Sequence, residues 1–559
     1  MKAANLVVKA LSDFGVRYVA GVIGSSIEDI VDSLYGHPQL RYISVRHEQV
    51  AASMCDGYAK VARRPMACLG HAGPGACNLI LGVASAYRDA TPMLVITGNT
   101  GSSRIGRDAW HELDVGALFR PVTKWTTRVT RVSALQPTLT AALSLSMAGK
   151  PGPVHVDIPQ DIVASDITES FQSIDDIAKS FENEPPGVSD EALGQVLALL
   201  ASTEKAVIFA GGGAHWSGAS KSLRDLSRLL SLPVVTSETA RGVLPDDDPL
   251  CLGVCGLYGN PGSNKALKDA ELVLAIGCRF SEQTTLGWTL LPARAKIVQV
   301  NIDAREIGQQ YPVMIGIAAD AQVFLSALMR QLAAQSDLSA ASQARKDWVA
   351  TLQPLRASER QAFFEKAIET EPLKPQTVVR EIIAVAGRDA VFSVGQGNLT
   401  ASCMRVPVYE PGRFLQSTGL GAMGFAFPAA LGAKLAAPER TVFCLVGDGD
   451  FGMVMQDLDT AAREKLNVVV AVFNNSGYGV NRLGQMARKR PSFGVDFLNP
   501  DFAALARMYG LAGYTVRTVA ELRSALLQCA TASGTTLLDV FIDPLERVGV
   551  NPKSVGLYT

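Results

Sequence analysis

A chain of 559 residues with 52 Lys and Arg against 53 Asp and Glu has a net charge of −1, so no global field draws it to nucleic acid or to an anionic membrane. With 48% hydrophobic and 19% charged residues, 50 Gly and 28 Pro, its make-up is globular rather than disordered, and its length predicts roughly three or four domains. A small molecule is the expected partner.

The first residues, MKAANLVVKALSDFGVRY, set Leu6, Val7, Ala10, Leu11 and Phe14 at helical spacing, interrupted by Asp13 and Arg17. They predict a surface helix and no secretory signal. Short β-branched runs then alternate with helical patterns: YVAGVIG, RYISVR, MACLG, MLVITG and VHVDIP before residue 160. Such alternation is the sign of βαβ units around parallel sheet. Charge and Pro replace the apolar runs at 165–190, which reads as a linker. A second block carries KAVIFAGGG, LPVVTS, LVLAIG and KIVQVNID and fades into a polar stretch near 335–350; a third carries AVFSVG, TVFCLVGDG, NVVVAVFNN and TLLDVFID. The expected fold is α/β, with three doubly wound parallel-sheet domains over 1–165, 190–335 and 370–545 and a tail over 546–559. No apolar run approaches the ~20 residues that span a bilayer. Nine cysteines without a CxxC pair read as reduced, buried thiols of a cytoplasmic protein. Cys251 and Cys255, lacking a second Cys or His pair, read as core rather than as metal ligands.

In the third block, Phe451, Val454, Leu458, Ala462 and Leu466 recur every three or four residues between two strand patterns, predicting one helix packed on a sheet. A right-handed crossover between neighbouring parallel strands puts Asp448 and Asn475 at strand ends about 4.8 Å apart. Open α/β sheets bind ligands at that edge. Gly447 and Gly449 let backbone amides approach a phosphate. One carboxylate, one amide oxygen and nearby carbonyls suit Mg²⁺ when diphosphate oxygens and water complete its octahedron.

The combination GDGD…NN resembles the diphosphate-anchoring motif of thiamine diphosphate (ThDP) enzymes. The resemblance implies that Asp448, Asn475 and the carbonyl of Gly477 hold Mg²⁺, with Asp450 and Tyr478 beside the cofactor. In RHEQVAASMCDGYAK, Glu48 ends a strand and opens an apolar helix, where a carboxylate also suits the helix dipole. By the resemblance it is the general acid/base that exchanges a proton with the aminopyrimidine ring. HAGPGACN, DAWHELD, PVTKW, KPGPVHVDIPQD, GCRFSEQTT and GLGAMGFAFPAALGA fall in the order of the acetolactate synthase branch, so the resemblance covers essentially the whole chain. It implies an aminopyrimidine-binding domain, a middle domain and a diphosphate-binding domain in that order. Gly421 is expected at the exocyclic amine, Met423 beneath the bent cofactor, and Gly395, Gln396, Gly397 and Asn398 around the diphosphate. Glu48 and Asp448 lie in different domains; in the family the cofactor bridges two subunits, which implies a homodimer or homotetramer.

Several pocket positions depart from that branch. In GVIGSSIED, Ser25 follows Gly24 where acetolactate synthases generally carry a second Gly, and in LGHAGPG, His71 stands where they carry Thr or Ser. Benzoylformate decarboxylase is similar to this chain at both places. In DAWHE, His111 replaces the usual Gln. Imidazoles titrate near neutrality, so Ser25, His71 and His111 join Glu48 as catalytic candidates, while His47 is expected to orient its neighbours. Asn481 and Arg482 stand at usually hydrophobic positions and predict a more polar pocket wall; Arg488, Lys489 and Arg490 read as a solvated face. In the middle domain AGGGAHWSGA follows a strand as a phosphate loop does. Acetolactate synthases bind FAD there, and GCRFSEQTT with Arg279 resembles part of that site, but Tyr258-Gly259-Asn260 and Ser281-Glu282 depart from it. FAD, ADP and an empty site stay open. The expected reaction is decarboxylation of a 2-oxo acid and transfer of the acyl carbanion to a carbonyl acceptor. Simple decarboxylation to an aldehyde, 2-hydroxyacyl-CoA cleavage and a catalytically silent subunit partner are the alternatives.

Overall fold

Three six-stranded parallel sheets follow one another along the chain. The computed structural model describes residues 2–167, 187–333 and 340–546, so most of the expected 165–190 linker and the tail beyond 546 lie outside the described residues. The first sheet contains β1 (Tyr18–Gly21), β2 (Arg41–Ser44), β3 (Ala67–Gly70), β4 (Met93–Asn99), β5 (Trp125–Arg128) and β6 (Pro153–Pro159), in the order β2-β1-β3-β4-β6-β5. The second contains β7 (Ala206–Ala210), β8 (Val234–Thr236), β9 (Cys251–Val254), β10 (Leu272–Ile276), β11 (Lys296–Asn301) and β12 (Ile315–Ala318), ordered β12-β11-β10-β7-β8-β9. The third contains β13 (Val391–Val394), β14 (Phe414–Leu415), β15 (Val442–Gly447), β16 (Val469–Asn474), β17 (Ala512–Val516) and β18 (Thr536–Phe541), ordered β14-β13-β15-β16-β18-β17.

The first and third sheets therefore share one topology, a duplication that no identity between their sequences reveals. The second has the doubly wound order typical of dinucleotide folds. Central strands such as β4 (MLVITGN) and β16 (VVAVFN) are buried along their whole length, because helices cover both faces of a parallel sheet.

The duplicated halves meet through equivalent helices, Glu48–Ala62 after β2 and Ala426–Ala436 after β14. A Cβ on Gly57 would lie 2.2 Å from the Ala429 carbonyl oxygen, and one on Gly432 would lie 2.0 Å from that of Met54. Only glycine permits this backbone-to-backbone contact. Around it Met54, Cys55, Phe427 and Leu431 share one apolar core.

The segment between β15 and β16 differs from the single helix its periodicity predicts. It forms a short turn of helix (Asp448–Phe451), a 3₁₀ turn (Met455–Asp457) and a second short helix (Leu458–Arg463). Phe451, Val454 and Leu458 still face the core. The breaks fall beside two buried carboxylates with other obligations: Asp450 accepts backbone amides from two loops, and Asp457 accepts from the Arg46 amide at 3.0 Å. All nine cysteines are free thiols and only Cys77 is exposed. Among the described residues, no helix is long and apolar enough to cross a membrane.

Candidate active site

In the third sheet the chain leaves β13 in two directions, to β14 on one side and β15 on the other. A crevice opens where strand order reverses in this way. Here it is a cavity of about 290 Å³, walled by the loop after β13, the loop after β15 and the turn after β16. Gln396, Gly397, Asn398, Gly421, Met423, Gly447, Asp448, Gly449, Asp450, Asn475, Gly477 and Tyr478 all line it, as does Asn481. Gly395 is one step behind the wall, where a Cβ would come 2.6 Å from Asp450 Oδ2.

β15 and β16 are paired neighbours, so Asp448 and Asn475 converge. Asp448 Oδ2 accepts the Asn475 amide at 3.2 Å, the Gly477 amide at 3.3 Å and Asn499 Nδ2 at 2.8 Å, while Oδ1 accepts the Gly449 amide at 2.9 Å. Burial pushes the Asp448 carboxyl above its ordinary pKa against the pull of these donors. Asn475 Oδ1 is buried and has no protein partner among the described residues. Such an orphaned oxygen is costly unless a ligand meets it. No cluster of three acidic, His or Cys side chains able to hold a metal occurs among the described residues. A sparse oxygen set of one carboxylate, one amide and a turn of carbonyls fits an Mg²⁺ ion whose remaining ligands come from a diphosphate and water.

Two expected roles change. Arg482 does not make the pocket wall polar. It is buried, and its guanidinium donates to the carbonyls of Asn475 at 3.1 Å and Ser476 at 2.9 Å while pairing with Asp496. It therefore braces the turn after β16 from behind. Asp450 accepts the Gln396 amide at 2.8 Å and the Gly424 amide, so each of its oxygens holds a loop of the cavity wall, and burial raises its pKa to about 6. Gln396 Nε2 donates to the Ser417 carbonyl and Asn398 Nδ2 to that of Glu546, so these side chains also hold the wall together. Arg488, Lys489 and Arg490 are exposed.

The loop that carries Gly421 and Met423 is set by the first domain. Asp89 accepts the Thr418 and Gly419 amides and the Thr418 hydroxyl, at 2.7–3.1 Å. Lys60 donates to the Gln416 carbonyl at 3.0 Å, Ser85 to the Ser417 hydroxyl at 2.7 Å and Gln49 to the Met423 carbonyl at 3.2 Å. The sequence offered no sign of Asp89, Lys60, Tyr258 or Asn499 as parts of this site; Asp89, Lys60 and Tyr258, which lines the cavity, come to it from other domains, and Asn499 from a later loop of the third.

Glu48 begins its helix and is buried, and Asn78 Nδ2 donates to its Oε2 at 2.9 Å. His47 caps the same helix, accepting the Gln49 amide at Nδ1, as expected of a residue that orients its neighbours. At Gly75 a Cβ would lie 3.0 Å from Glu48 Oε1 and 3.2 Å from His71 Cβ, so the carboxylate and the histidine share one seat. His71 Nε2 lies 3.0 Å from His111 Nδ1. Burial, with a further push from His111, lowers the His71 pKa against the opposing pull of Glu48. Ser25 is not the serine beside His71. It is exposed, and its carbonyl accepts Gln160 Nε2 at 3.1 Å, whereas the buried neighbour Ser26 sits 2.8 Å from His71 Nδ1. The two serines are the central residues of a turn closed by the Ile27 amide on the Gly24 carbonyl at 3.0 Å, and only Ser26 faces His71, which the letters SS cannot resolve. Gly24 borders the same seat, against the His71 ring. None of these first-domain residues lines the cavity of the third sheet.

The middle sheet has a cavity of about 100 Å³ at its own reversal point, between β7 and β10, lined by Gly211–Gly213, Glu238 and Arg279 among others. The glycine turn is committed to packing: the Gly211 amide bonds the Ile276 carbonyl at 2.9 Å and the Gly213 amide that of Gly277 at 3.1 Å. The buried Glu238 leaves Oε1 without a partner among the described residues, and burial raises its pKa to about 7. Two of the three glycine amides are thus spent on packing beside a carboxylate, while Arg279 lines the same cavity, so the turn by itself offers a diphosphate few donors.

The chain matches models of thiamine pyrophosphate (ThDP) enzymes in three pieces. These are the N-terminal TPP binding domain over residues 1–118, the central domain over 193–328 and the C-terminal TPP binding domain over 393–540. A three-domain α/β chain with N-terminal, central and C-terminal domains in this order is the class of protein they describe. Three relatives align along nearly their whole length. The acetolactate synthase large subunit of Haemophilus influenzae is 34% identical, covering 98% of this chain and 96% of the relative. A probable acetolactate synthase large subunit of Methanococcus aeolicus is 32% identical, covering 100% and 94%. The acetolactate synthase isozyme 3 large subunit of Escherichia coli is 32% identical, covering 98% and 96%. The chain belongs to the thiamine pyrophosphate enzyme family, in its acetolactate synthase-like branch.

Proposed function

We propose that this protein is a ThDP- and Mg²⁺-dependent enzyme that decarboxylates a 2-oxo acid and joins the resulting acyl group to a second carbonyl compound. The observation that carries this reading is the buried, unpartnered Asn475 Oδ1 beside Asp448 in the crevice of the third sheet, in a chain that aligns end to end with acetolactate synthases. Asp448, Asn475 and the Gly477 carbonyl would hold Mg²⁺. The loops at Gln396–Asn398 and Gly447–Gly449 would receive the diphosphate, and Met423, with its polarizable thioether, would support the bent cofactor. The chemistry the cofactor supplies when bound is a carbon nucleophile for the carbonyl of the 2-oxo acid and an electron sink as CO₂ leaves. Glu48 would hold and return a proton at the aminopyrimidine ring.

Glu48 does not line its own chain's cavity, while Ile23, Trp110, Phe493 and Leu498 expose large apolar surfaces. This supports a homo-oligomer, a dimer at least, in which a second copy brings its Glu48 seat to this crevice. Release of an aldehyde without ligation is the second reading, favoured by the contact between His71 and His111 beside Glu48, which puts two imidazoles in one hydrogen-bonded chain at the seat. Incubating the purified protein with ThDP, Mg²⁺ and a panel of 2-oxo acids, with and without acceptor aldehydes, separates the two by product. No CO₂ release from any member of the panel would overturn both.

A further inference from the structure

Ser26 and His71 lie on the loops after β1 and β3, the reversal point of the first sheet and the counterpart of the Asp448 crevice in the third. Their contact is built rather than incidental. A Cβ on Gly24 would come 2.5 Å from His71 Cγ, and one on Gly98 would come 2.2 Å from Ser26 Oγ, so any side chain at either position would dislodge the pair. Ser26 is 4% exposed.

Hydrogen-bond directions around His71 determine where its proton sits. The backbone N–H of Ser26 meets His71 Nδ1 at 3.4 Å, and a backbone N–H can only donate. Ser26 Oγ accepts the Ala72 amide at 3.0 Å, which leaves its own proton free to point at Nδ1, 2.8 Å away. Nδ1 thus faces two donors and must present its lone pair, and the single proton of neutral His71 is at Nε2. From there it is donated to His111 Nδ1 at 3.0 Å, which in turn puts the proton of His111 at its own Nε2. The two rings meet edge to face, with centroids 4.7 Å apart.

We infer that Ser26 is a positioning residue that fixes the tautomers of His71 and His111, so that His111 Nε2–H is presented as a neutral hydrogen-bond donor to an oxyanion: the carboxylate, or the carbonyl oxygen as it gains charge, of the 2-oxo acid. His111 is the only one of the three that meets substrate; Ser26 and His71 act through it. The His71 pKa, lowered by burial and by His111, agrees with a ring that stays neutral. A neutral imidazole serving as electrophile has the advantage that it stabilises developing negative charge without first having to be protonated. The inference rests on reading this seat as part of a 2-oxo acid site.

The test is nitrogen NMR of histidine-labelled protein loaded with ThDP and Mg²⁺, with His71→Gln and His111→Gln used for assignment. Unprotonated Nδ1 and protonated Nε2 are expected at both rings near neutral pH, and Ser26→Ala should return His71 to a tautomer mixture. Turnover by Ser26→Ala should fall roughly 10²-fold in kcat, with ThDP affinity unchanged. A protonated Nδ1 at His71 in the parent protein overturns the proposal, as do tautomers that do not move in Ser26→Ala. The spectra do not depend on turnover, so a protein inactive on 2-oxo acids would still show whether Ser26 sets the tautomers.

Discussion

Asp448 and Asn475, 27 positions apart in sequence, meet at the carboxyl edge of β15 and β16, where the Asn475 amide donates to Asp448 Oδ2 at 3.2 Å. Beside that bond the Asn475 side-chain Oδ1 is buried without a partner among the described residues. The first sheet repeats the topology, and one strand over, at β1 and β3, the counterparts of β13 and β15, its loops bring Ser26 to His71. One topology thus serves twice, once to bring a carboxylate to an amide oxygen and once to bring a hydroxyl to an imidazole.

Asn475→Ala should keep the fold and lose the cation. Its backbone amide still donates to Asp448, but the orphaned oxygen is gone. Losing a hydrogen-bond-strength contact to a charged group is worth about 1.5 to 3 kcal/mol, so Mg²⁺-dependent ThDP affinity should fall roughly 10- to 100-fold. Calorimetric titration of ThDP with and without Mg²⁺ measures it, and equal affinity in parent and variant would exclude Asn475 as a ligand.

Arg482→Met should weaken the same site from outside it. The variant keeps the bulk of the stem but leaves the Asn475 and Ser476 carbonyls and Asp496 without their shared donor. Supports of this kind commonly contribute 10- to 100-fold in metal affinity. Arg488→Ala, on the exposed end of the same helix, should leave affinity unchanged. If both variants bind alike, the brace is not functional.

Central strands were legible, and of the six edge strands only β2 was. The five strands whose sequences gave no clear pattern, β5, β9, β12, β14 and β17, all lie at sheet edges. Three of them, WTTR, IGIA and AGYTV, are half-exposed, so they lack the continuous apolar run that marks a strand buried on both faces. The Asp448 and Asn475 pairing was legible because both residues punctuate a βαβ unit whose handedness is fixed. Arg482 was misread because its helix, Gly479–Ala487, turns it back onto the turn after β16, and which of two adjacent serines meets His71 was not legible because they point to different sides of one loop. In each case the deciding fact is a backbone direction that periodicity does not carry.

Glu48→Gln should separate binding from chemistry. The amide keeps the shape of the seat and can still meet Asn78, but it cannot exchange a proton. Turnover should drop roughly 10²- to 10⁴-fold, while calorimetry shows ThDP bound as in the parent. Full turnover in the variant would remove Glu48 from the proton path.

Glu238 gives the protein a pH dependence opposite to that of a salt-bridged acid. Burial raises its folded pKa to about 7, above the ordinary glutamate value near 4.3, so between these limits the folded chain keeps a proton that the unfolded chain has lost. The stabilisation from this group is complete below about pH 4 and disappears as pH rises through about 7. Above that, an ionised oxygen with no partner among the described residues lies buried, at a cost on the order of a few kcal/mol. Glu238→Gln should therefore melt a few degrees above the parent near pH 8, with the gap closing as the buffer is taken toward about pH 5. Thermal unfolding across that range measures the gap, and a difference that did not change with pH would show that the Glu238 carboxyl is not held protonated in the folded protein.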